Sequence, residues 1–500
     1  MANVQREMLI SHDSTETRVA LIEGDELVEL YVERPKRSVV GNVYLGKVKD
    51  VLPGMQAAFV DIGLEKNAFL YVDDVVGPDR RQPEARRDIA SLLKPGDPLL
   101  VQVLKDPMGT KGSRVTTEIT LPGRFVVLMP LSDSVGVSRK LPDEDRERLH
   151  ALMEATVPPG TGAIVRTVAQ DVADKEIVAD LQFLLRLWKR VSHQAEEALP
   201  PEVVYTEMDL ALRLVRDVFS SEFKRLVVDD KSTHAKVVSF LKKTSPELVK
   251  SVVHFRERGT LFDAYGITPV IESAMRRVVE LPSGGHIAID RTEALTAIDV
   301  NTGRYVGRKN LEDTIVRINL EAAVEVARQL RLRDIGGIIV IDFIDMAEAQ
   351  NRAAVMERLN EALERDRTKT RVLEMSRLGL VEMTRKNVTD GLFGVLTETC
   401  PCCDGQGRVL SDTTRRIAVQ RRLEELLVSS TSNAFLFAVH PTTYDLLMAP
   451  GMNIIASLKS ETRKQIEIIP EADCENLEVR VVIEGKTGFL RRSLDSLKRR

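Results

Sequence analysis

The chain lacks the marks of several classes of protein. Among its 500 residues no apolar run approaches the roughly 20 needed to span a bilayer, and the amino terminus MANVQREMLISHD has no signal-peptide apolar region. These absences predict a cytoplasmic protein. Cysteine is scarce: there are four, with Cys400, Cys402 and Cys403 gathered together, which argues against a disulfide framework and for a thiolate metal site in a reducing compartment. An excess of one charge is also missing. The formal net charge of -4 carries no global signature of a nucleic-acid binder, so any RNA or DNA contact has to come from local patches. Histidines at ligand spacing are absent among His12, His150, His193, His234 and His254, which read as structural or solvated. What is present, 43% hydrophobic and 29% charged residues, describes a soluble globular chain. Its length exceeds one ordinary core and implies roughly three domains.

Residues 1–34 alternate apolar and polar on both sides of Gly24-Asp25, a strand pair without a core of its own. From Ser38 the texture becomes short β segments with glycine or proline at nearly every turn, ending in a strand over Pro98 to Leu104. That spacing suits a small β-barrel of the OB class. Phe59 and Phe69 fall on neighbouring strands with Lys47, Lys49 and Lys111 nearby, the combination by which OB-type surfaces stack bases and hold a single-stranded backbone. The other reading makes the two phenylalanines barrel core. Residues 119–200 form a further unit, with strands over Phe125 to Met129 and Ala163 to Val168, a charged helix from Asp143 and a long helix over Lys175 to Ala198. It holds Gly123, Arg139, Arg166 and Thr167, and arginine forks with a threonine hydroxyl are suitable phosphate ligands. Between Pro200 and Leu281, strands such as Lys224 to Val228 alternate with helices such as Ser232 to Lys243 and Pro269 to Val278. Together with the amino-terminal hairpin this stretch can complete one α/β layer, into which the barrel and the 119–200 unit are inserted.

The strongest chemical signal lies between Gly284 and Met346. Strands over His286 to Asp290 and Leu295 to Asp299 lead into Val300-Asn301-Thr302-Gly303, so Asp299 sits at a strand end with Asn301 two residues on and able to share its face. The run Ile338-Ile339-Val340-Ile341 reads as a strand buried on both faces and also ends in a carboxylate, Asp342. The helix expected over Glu312 to Arg333 buries Ile315, Ile318, Ala322, Val326 and Leu330 and turns Arg317, Glu321, Glu325 and Arg328 to water. A right-handed crossover through it lays the two strands parallel, with Asp299 and Asp342 at one carboxyl edge. Two carboxylates there repel unless a divalent cation lies between them, and hard Mg²⁺ favours such oxygen ligands. Asp345 is left outside this set.

Downstream, Ala347 to Asp366 reads as a further helix, followed by a stretch carrying Arg371, Arg377 and Arg385. Cys400-Pro401-Cys402-Cys403 then has the C-x₂-C spacing that brings Cys400 and Cys403 to one Zn²⁺; with no second pair nearby, the missing half would come from another chain. Cys402 is a bystander and Cys474 a lone thiol. A helix from Ser411 to Val428 and strands over Ala434 to Val439 and Leu477 to Ile483, separated by a helix, make a small α/β domain that ends in the basic tail RRSLDSLKRR.

Taken together, AIDVNTG, GGIIVIDFIDM, CPCCDGQG and an upstream barrel with the order of an S1 domain resemble the ribonuclease E/G family of bacterial endoribonucleases along nearly the whole chain. The resemblance implies an α/β and β multidomain protein. Residues 1–37 and 201–280 would form an RNase H-like subdomain, 38–118 an inserted S1 RNA-binding barrel and 119–200 a 5′-sensor region. Residues 281–398 would form a DNase I-like catalytic subdomain, 399–410 a zinc link and 411–500 the small carboxyl-terminal domain. It also implies hydrolysis of single-stranded, often A/U-rich RNA to 5′-phosphate and 3′-hydroxyl ends, in rRNA and tRNA processing and mRNA decay. Asp299 and Asp342 fall on the Mg²⁺-binding aspartates and Asn301 on the asparagine that supports them. Phe59, Phe69 and Lys111 fall on the RNA-holding positions of the barrel. Gly123, Val127, Arg139, Arg166 and Thr167 match the 5′-monophosphate pocket. The family's further sensor arginine falls on Lys369, and a lysine cannot reproduce a two-pronged guanidinium contact. Zinc shared between two chains implies a homodimer, with a homotetramer as dimer of dimers in some members. Two rivals stand beside this reading. A non-catalytic S1-type RNA-binding regulator gives no reason for the convergent aspartates, and a DNA nuclease or phosphatase gives none for the barrel.

Overall fold

Met8, Leu9 and Ile10 are all fully buried, so the amino-terminal strand Arg6–His12 has core on each of its faces. The amino-terminal hairpin therefore does not stand alone. In the computed structural model, which describes residues 5–34, 38–76, 88–107, 111–303, 311–376, 378–386, 391–449, 454–475 and 477–487, it joins a five-stranded sheet. The strand order is Val252–His254, Phe223–Val228, Arg6–His12, Thr17–Glu23, Glu26–Glu33, the first three parallel and the last two antiparallel. One face packs Met8, Ile10, Val19 and Leu21 on the helices Leu210–Asp217 and Lys231–Thr244. The other packs Leu9, Ala20, Ile22 and Leu30 on Leu261, Phe262 and Ile267. Arg377 and the basic tail lie outside the described residues.

Between the two parts of this sheet the chain builds a closed five-stranded barrel of the S1/OB type. Strand Val43–Leu52 pairs with Ala57–Asp61, then Ala68–Tyr71, Arg114–Thr116 and Pro98–Lys105 follow, and the last returns to Val43–Leu52. Ala58, Val60, Ala68, Leu70, Val101 and Val115 fill it. Glu202–Tyr205 adds to its outer edge. The next layer has a four-stranded sheet covered by the helices Asp143–Thr156 and Asp174–Glu197, whose Ile177, Leu181 and Leu184 enter its core as the helical stripe requires. The strand expected to reach Val168 ends at Val165, because Arg166 leaves the sheet and Thr167–Ala169 turns as a short 3₁₀ helix. The helix expected over Pro269 to Val278 is Ile267–Ala274, and Val278 instead opens the next strand.

That strand begins a six-stranded sheet, in the order Val278–Glu280, His286–Arg291, Leu295–Asn301, Gly337–Asp342, Leu380–Arg385, Thr370–Val372. Leu295–Asn301 and Gly337–Asp342 run parallel, joined by the crossover helix Leu311–Leu332. This helix and Ala349–Leu363 cover one face, where Ile298, Val300, Ile339, Ile341, Val381 and Met383 are buried. Each such side chain stabilises by about 1.5–3 kcal/mol. Among the described residues no helix covers the opposite face: Ile338 is 51% exposed and Val340 half-buried, so this strand is not buried on both faces as its unbroken apolar run implies. The crossover helix is buried more widely than one stripe, since it also packs on strand Glu26–Glu33 of the first sheet. Glu321, Glu325 and Arg328, expected to face water, are half-buried, and Arg331 and Arg333 are buried.

The chain divides into two compact units, Met1–Leu396 and Thr397–Arg500. The second has a three-stranded sheet, Gln465–Pro470, Ala434–Val439, Arg480–Gly485, with the helices Asp412–Ser429, Pro441–Met448 and Ile454–Thr462. Strand Gln465–Pro470 and the second and third of these helices lie where only one helix is expected, and the last strand starts at Arg480 rather than Leu477. Among the described residues no helix is long and apolar enough to cross a membrane.

Candidate active site and RNA-binding surfaces

Asp299 and Asp342 are register partners on adjacent parallel strands, the last pair these two strands make with each other, while Val300 and Asn301 go on pairing with strand His286–Arg291. Strand alternation sends both side chains to the bare face, because Ile298, Val300 and Ile341 beside them point into the core. Asn301, two residues beyond Asp299, donates its side-chain N–H to Asp299 Oδ2 at 2.8 Å and so orients that carboxylate. The turn that follows admits only glycine at 303: φ is +58°, and a Cβ would lie 2.4 Å from the carbonyl oxygen of Gly284. Partial burial, then the charges of Asp299 and Asp345, push the Asp342 carboxyl above its usual range. Asp345 is thus close enough to be felt electrostatically.

One positioning residue is not evident from the sequence pattern. Asn319 of the crossover helix is fully buried, donates to the carbonyl of Ile344 at 2.8 Å and accepts from its N–H at 3.1 Å. It clamps the loop that carries Asp342 and Asp345. A lone asparagine between Ile318 and Leu320 on an otherwise apolar helix face is the one signal that points to it. Among the described residues no group of three or more His, Cys, Asp or Glu could hold a metal. The two aspartates therefore offer a two-carboxylate site, the kind of donor set Mg²⁺ uses when water and phosphate complete its shell.

On the barrel, Phe59 and Phe69 are cross-strand partners whose rings meet edge-on at 6.0 Å and 70°. Both are half-exposed, while their neighbours Ala58, Val60, Ala68 and Leu70 are buried. They belong to the outer surface, not the barrel core. Lys111 is exposed, and Lys49 pairs with Asp61 at 3.2 Å.

In the four-stranded layer, Arg166 donates through Nη1 to the carbonyl of Gly123 at 2.8 Å and to Asp217 Oδ1 at 2.6 Å. Gly123 must be glycine, because a Cβ would sit 2.5 Å from Asp180 Oδ2. Thr167 shares a 2.8 Å hydrogen bond with Ser138, next to exposed Arg139, and Val127 is half-buried on the strand beside them. Lys369 is exposed ahead of strand Thr370–Val372, where its carbonyl accepts from Lys386. That places it on the six-stranded sheet, apart from the contacts that tie Gly123, Arg166 and Thr167 together.

In the second unit, the Cys400 thiol is held below its usual range by the N–H of Cys402, then by the thiol and N–H of Cys403. Cys403 Sγ accepts from Gly407 N at 3.3 Å. The backbone donors aimed at Cys400 favour its thiolate, the form that binds metal. Cys402 is exposed, and burial raises the Cys474 thiol.

A model of the Ribonuclease E/G family matches residues 120–388. Ribonuclease G of Escherichia coli (strain K12) is 41% identical over 470 residues, covering 92% of this chain and 96% of its own length. Ribonuclease G of Haemophilus influenzae is 40% identical over 450 residues, 88% of this chain and 92% of its own. Ribonuclease E of Nostoc sp. (strain PCC 7120) is 39% identical over 406 residues, 80% of this chain and 59% of its own. The class that these relatives and the fold define is an RNA-cleaving enzyme, an endoribonuclease. More narrowly, the chain belongs to the ribonuclease E/G family.

Proposed function

We propose that this endoribonuclease hydrolyses single-stranded, A/U-rich RNA with Mg²⁺ held by Asp299 and Asp342, in rRNA and tRNA processing and mRNA decay in the cytoplasm. The observation that carries the reading is the register pairing of those two carboxylates on the bare face of one sheet. A divalent ion bound there would activate water and neutralise charge on the phosphate, leaving 5′-phosphate and 3′-hydroxyl products. Asn301 fixes the Asp299 carboxylate, and Asn319 fixes the loop behind Asp342. Phe59, Phe69 and Lys111 would hold the strand by base stacking and phosphate pairing. Gly123, Val127, Arg139, Arg166 and Thr167 would receive a 5′-monophosphate, with Lys369 contributing weakly. Binding energy from that remote end would place the scissile bond.

The five-stranded sheet of residues 6–33 and 223–254 supports an RNase H-like layer interrupted by the barrel, and the six-stranded sheet a DNase I-like one. Cys400 and Cys403 would supply half of a tetrahedral zinc site, completed by a second chain in a homodimer that pairs again into a homotetramer. Cys400→Ala is then expected to lower both the zinc content and the mass in solution; no change in either sinks the shared-metal reading. The main test is cleavage of one RNA bearing a 5′-monophosphate, triphosphate or hydroxyl, with and without Mg²⁺, against DNA of the same sequence. Cleavage is expected only of RNA, only with Mg²⁺, and fastest from the monophosphate. Metal-independent cleavage counts against the carboxylate site, and equal rates from all ends against the sensor.

A further inference from the structure

Arg166 is held by a chain of alternating charges that leads away from its pocket to the foot of the barrel. Asp217, which accepts from Arg166 Nη1, also accepts from Arg216, Nε to Oδ1 at 3.0 Å and Nη2 to Oδ2 at 3.1 Å. The third nitrogen of Arg216, Nη1, donates to Glu207 Oε1 at 3.0 Å. The backbone N–H of Glu207 donates in turn to Asn42 Oδ1 at 2.9 Å. Asn42 immediately precedes the barrel strand Val43–Leu52, its carbonyl accepts from Val103 N of another barrel strand at 3.0 Å, and a Cβ on Gly41 would touch the Glu207 side chain at 3.0 Å. Arg216 and Glu207 are 4% and 7% exposed, so the middle of the chain is shielded from water.

A pair of this kind is expensive to bury and is worth little for stability against an apolar substitute. Its geometry is what it contributes. All three Arg216 nitrogens that can fork are engaged, so the orientation of the guanidinium is settled, and with it the place of the Asp217 carboxylate. Asp217 then fixes one nitrogen of Arg166. Among the described contacts Arg166 uses only Nη1, which leaves the rest of its planar fork for an anion. Burial pushes the Asp217 carboxyl upward, but the hydrogen bond and charge of Arg216, with the charge of Arg166, outweigh it and keep the group ionised. The four charges sum to zero, so an arriving phosphate does not meet a net negative cluster.

We propose that Asp217 is a positioning residue for 5′-end recognition, and that Arg216 and Glu207 extend its hold to Asn42, registering the end pocket against the RNA-holding barrel through one hydrogen-bonded chain. The proposal rests on the 5′-sensor reading above. Its consequence is specific: Glu207, which touches neither the pocket nor the aspartates, should influence discrimination between RNA ends.

The test measures kcat/KM on RNAs differing only in a 5′-monophosphate or 5′-hydroxyl, for the wild type, Arg166→Ala, Asp217→Asn, Asp217→Glu and Glu207→Gln. Asp217→Asn keeps an acceptor but loses the charge, and is expected to lower the monophosphate-to-hydroxyl ratio about tenfold, mainly through KM. Asp217→Glu should recover part of that loss, and Glu207→Gln should lower the ratio about threefold. Cleavage of the 5′-hydroxyl RNA by the Asp217 and Glu207 variants should match wild type and serves as the control for folding. Equal losses on both RNAs mean a merely structural role and overturn the proposal. A ratio that Arg166→Ala abolishes and Asp217→Asn leaves intact overturns it while sparing the sensor. A ratio sensitive to Asp217 but not to Glu207 overturns the extension to the barrel. A wild type blind to the 5′ end overturns sensor and proposal together.

Discussion

The two large mixed sheets of the first unit differ in how they are covered. The sheet built on Arg6–His12 has helices and loops on both faces, and the side chains of Met8, Leu9 and Ile10 are lost to water whichever way they point. The sheet that carries Asp299 and Asp342 has, among the described residues, its helices on one face only, so Ile339 is fully buried while its neighbour Ile338 is half in water. A sheet covered twice is scaffold. A sheet covered once has a rigid floor whose side chains can meet a ligand, and the partial burial and mutual repulsion that raise Asp342 are what a counter-ion on that floor would relieve. The crossover helix joins the two. It covers the six-stranded sheet and presents Arg331 to Glu23 and Glu29 of the five-stranded sheet, each at 3.0 Å.

Three sets of substitutions test this difference between the sheets. The largest effect is expected at the bare face: Asp299→Asn should lower cleavage on the order of 10³-fold or more, since loss of metal-assisted charge stabilisation removes several kcal/mol, while RNA binding changes little. Equal loss of binding would show the aspartate to be structural. At the junction, Glu29 is buried, accepts from Arg331 and pairs with Arg367, and Tyr31 donates to it. Burial alone would raise its pKa, but Arg367 and Arg331 hold it below the ordinary carboxylate value. A depressed carboxylate adds stability that is present above its unfolded pKa and is lost as pH falls through that value towards the folded one. Glu29→Gln should therefore destabilise by about 3 kcal/mol at neutral pH and flatten the acid limb of a denaturant-midpoint profile. An unchanged acid limb would remove Glu29 from the junction. The smallest effects sharpen the contrast between faces. Ile339→Ala should cost about 2–3 kcal/mol and Ile338→Ala under about 0.5 kcal/mol in equilibrium unfolding. Similar costs at the two positions would mean that the second face is covered after all.

Much of this arrangement is legible in the amino-acid sequence. Period-two alternation places Asp299 and Asn301 on one face, and the apolar stripe from Ile315 to Leu330 announces the crossover that lays the two strands parallel. The barrel strands are visible because turn residues interrupt short β runs. The rest is illegible for one reason, that an apolar residue does not say whether anything lies against it. Ile338 and Val340 read as core and are surface, whereas Glu321 reads as surface and is half-buried, and no local pattern marks Arg331 as buried. Asn319 is hidden in the same way, its partner Ile344 lying in a loop beyond the end of a strand.

The sequence by itself determined the local elements and the chemical identity of the carboxylates, thiols and aromatics, because strand and helix periodicities and turn chemistry act over a few residues. Only the tertiary structure decided which face of the six-stranded sheet stays open, and that Phe59 and Phe69 stand outside the barrel core. It alone tied Arg166 to Asp217 across 51 residues and Asn42 to Glu207 across 165. Such pairings depend on how distant layers stack, and no local pattern records that.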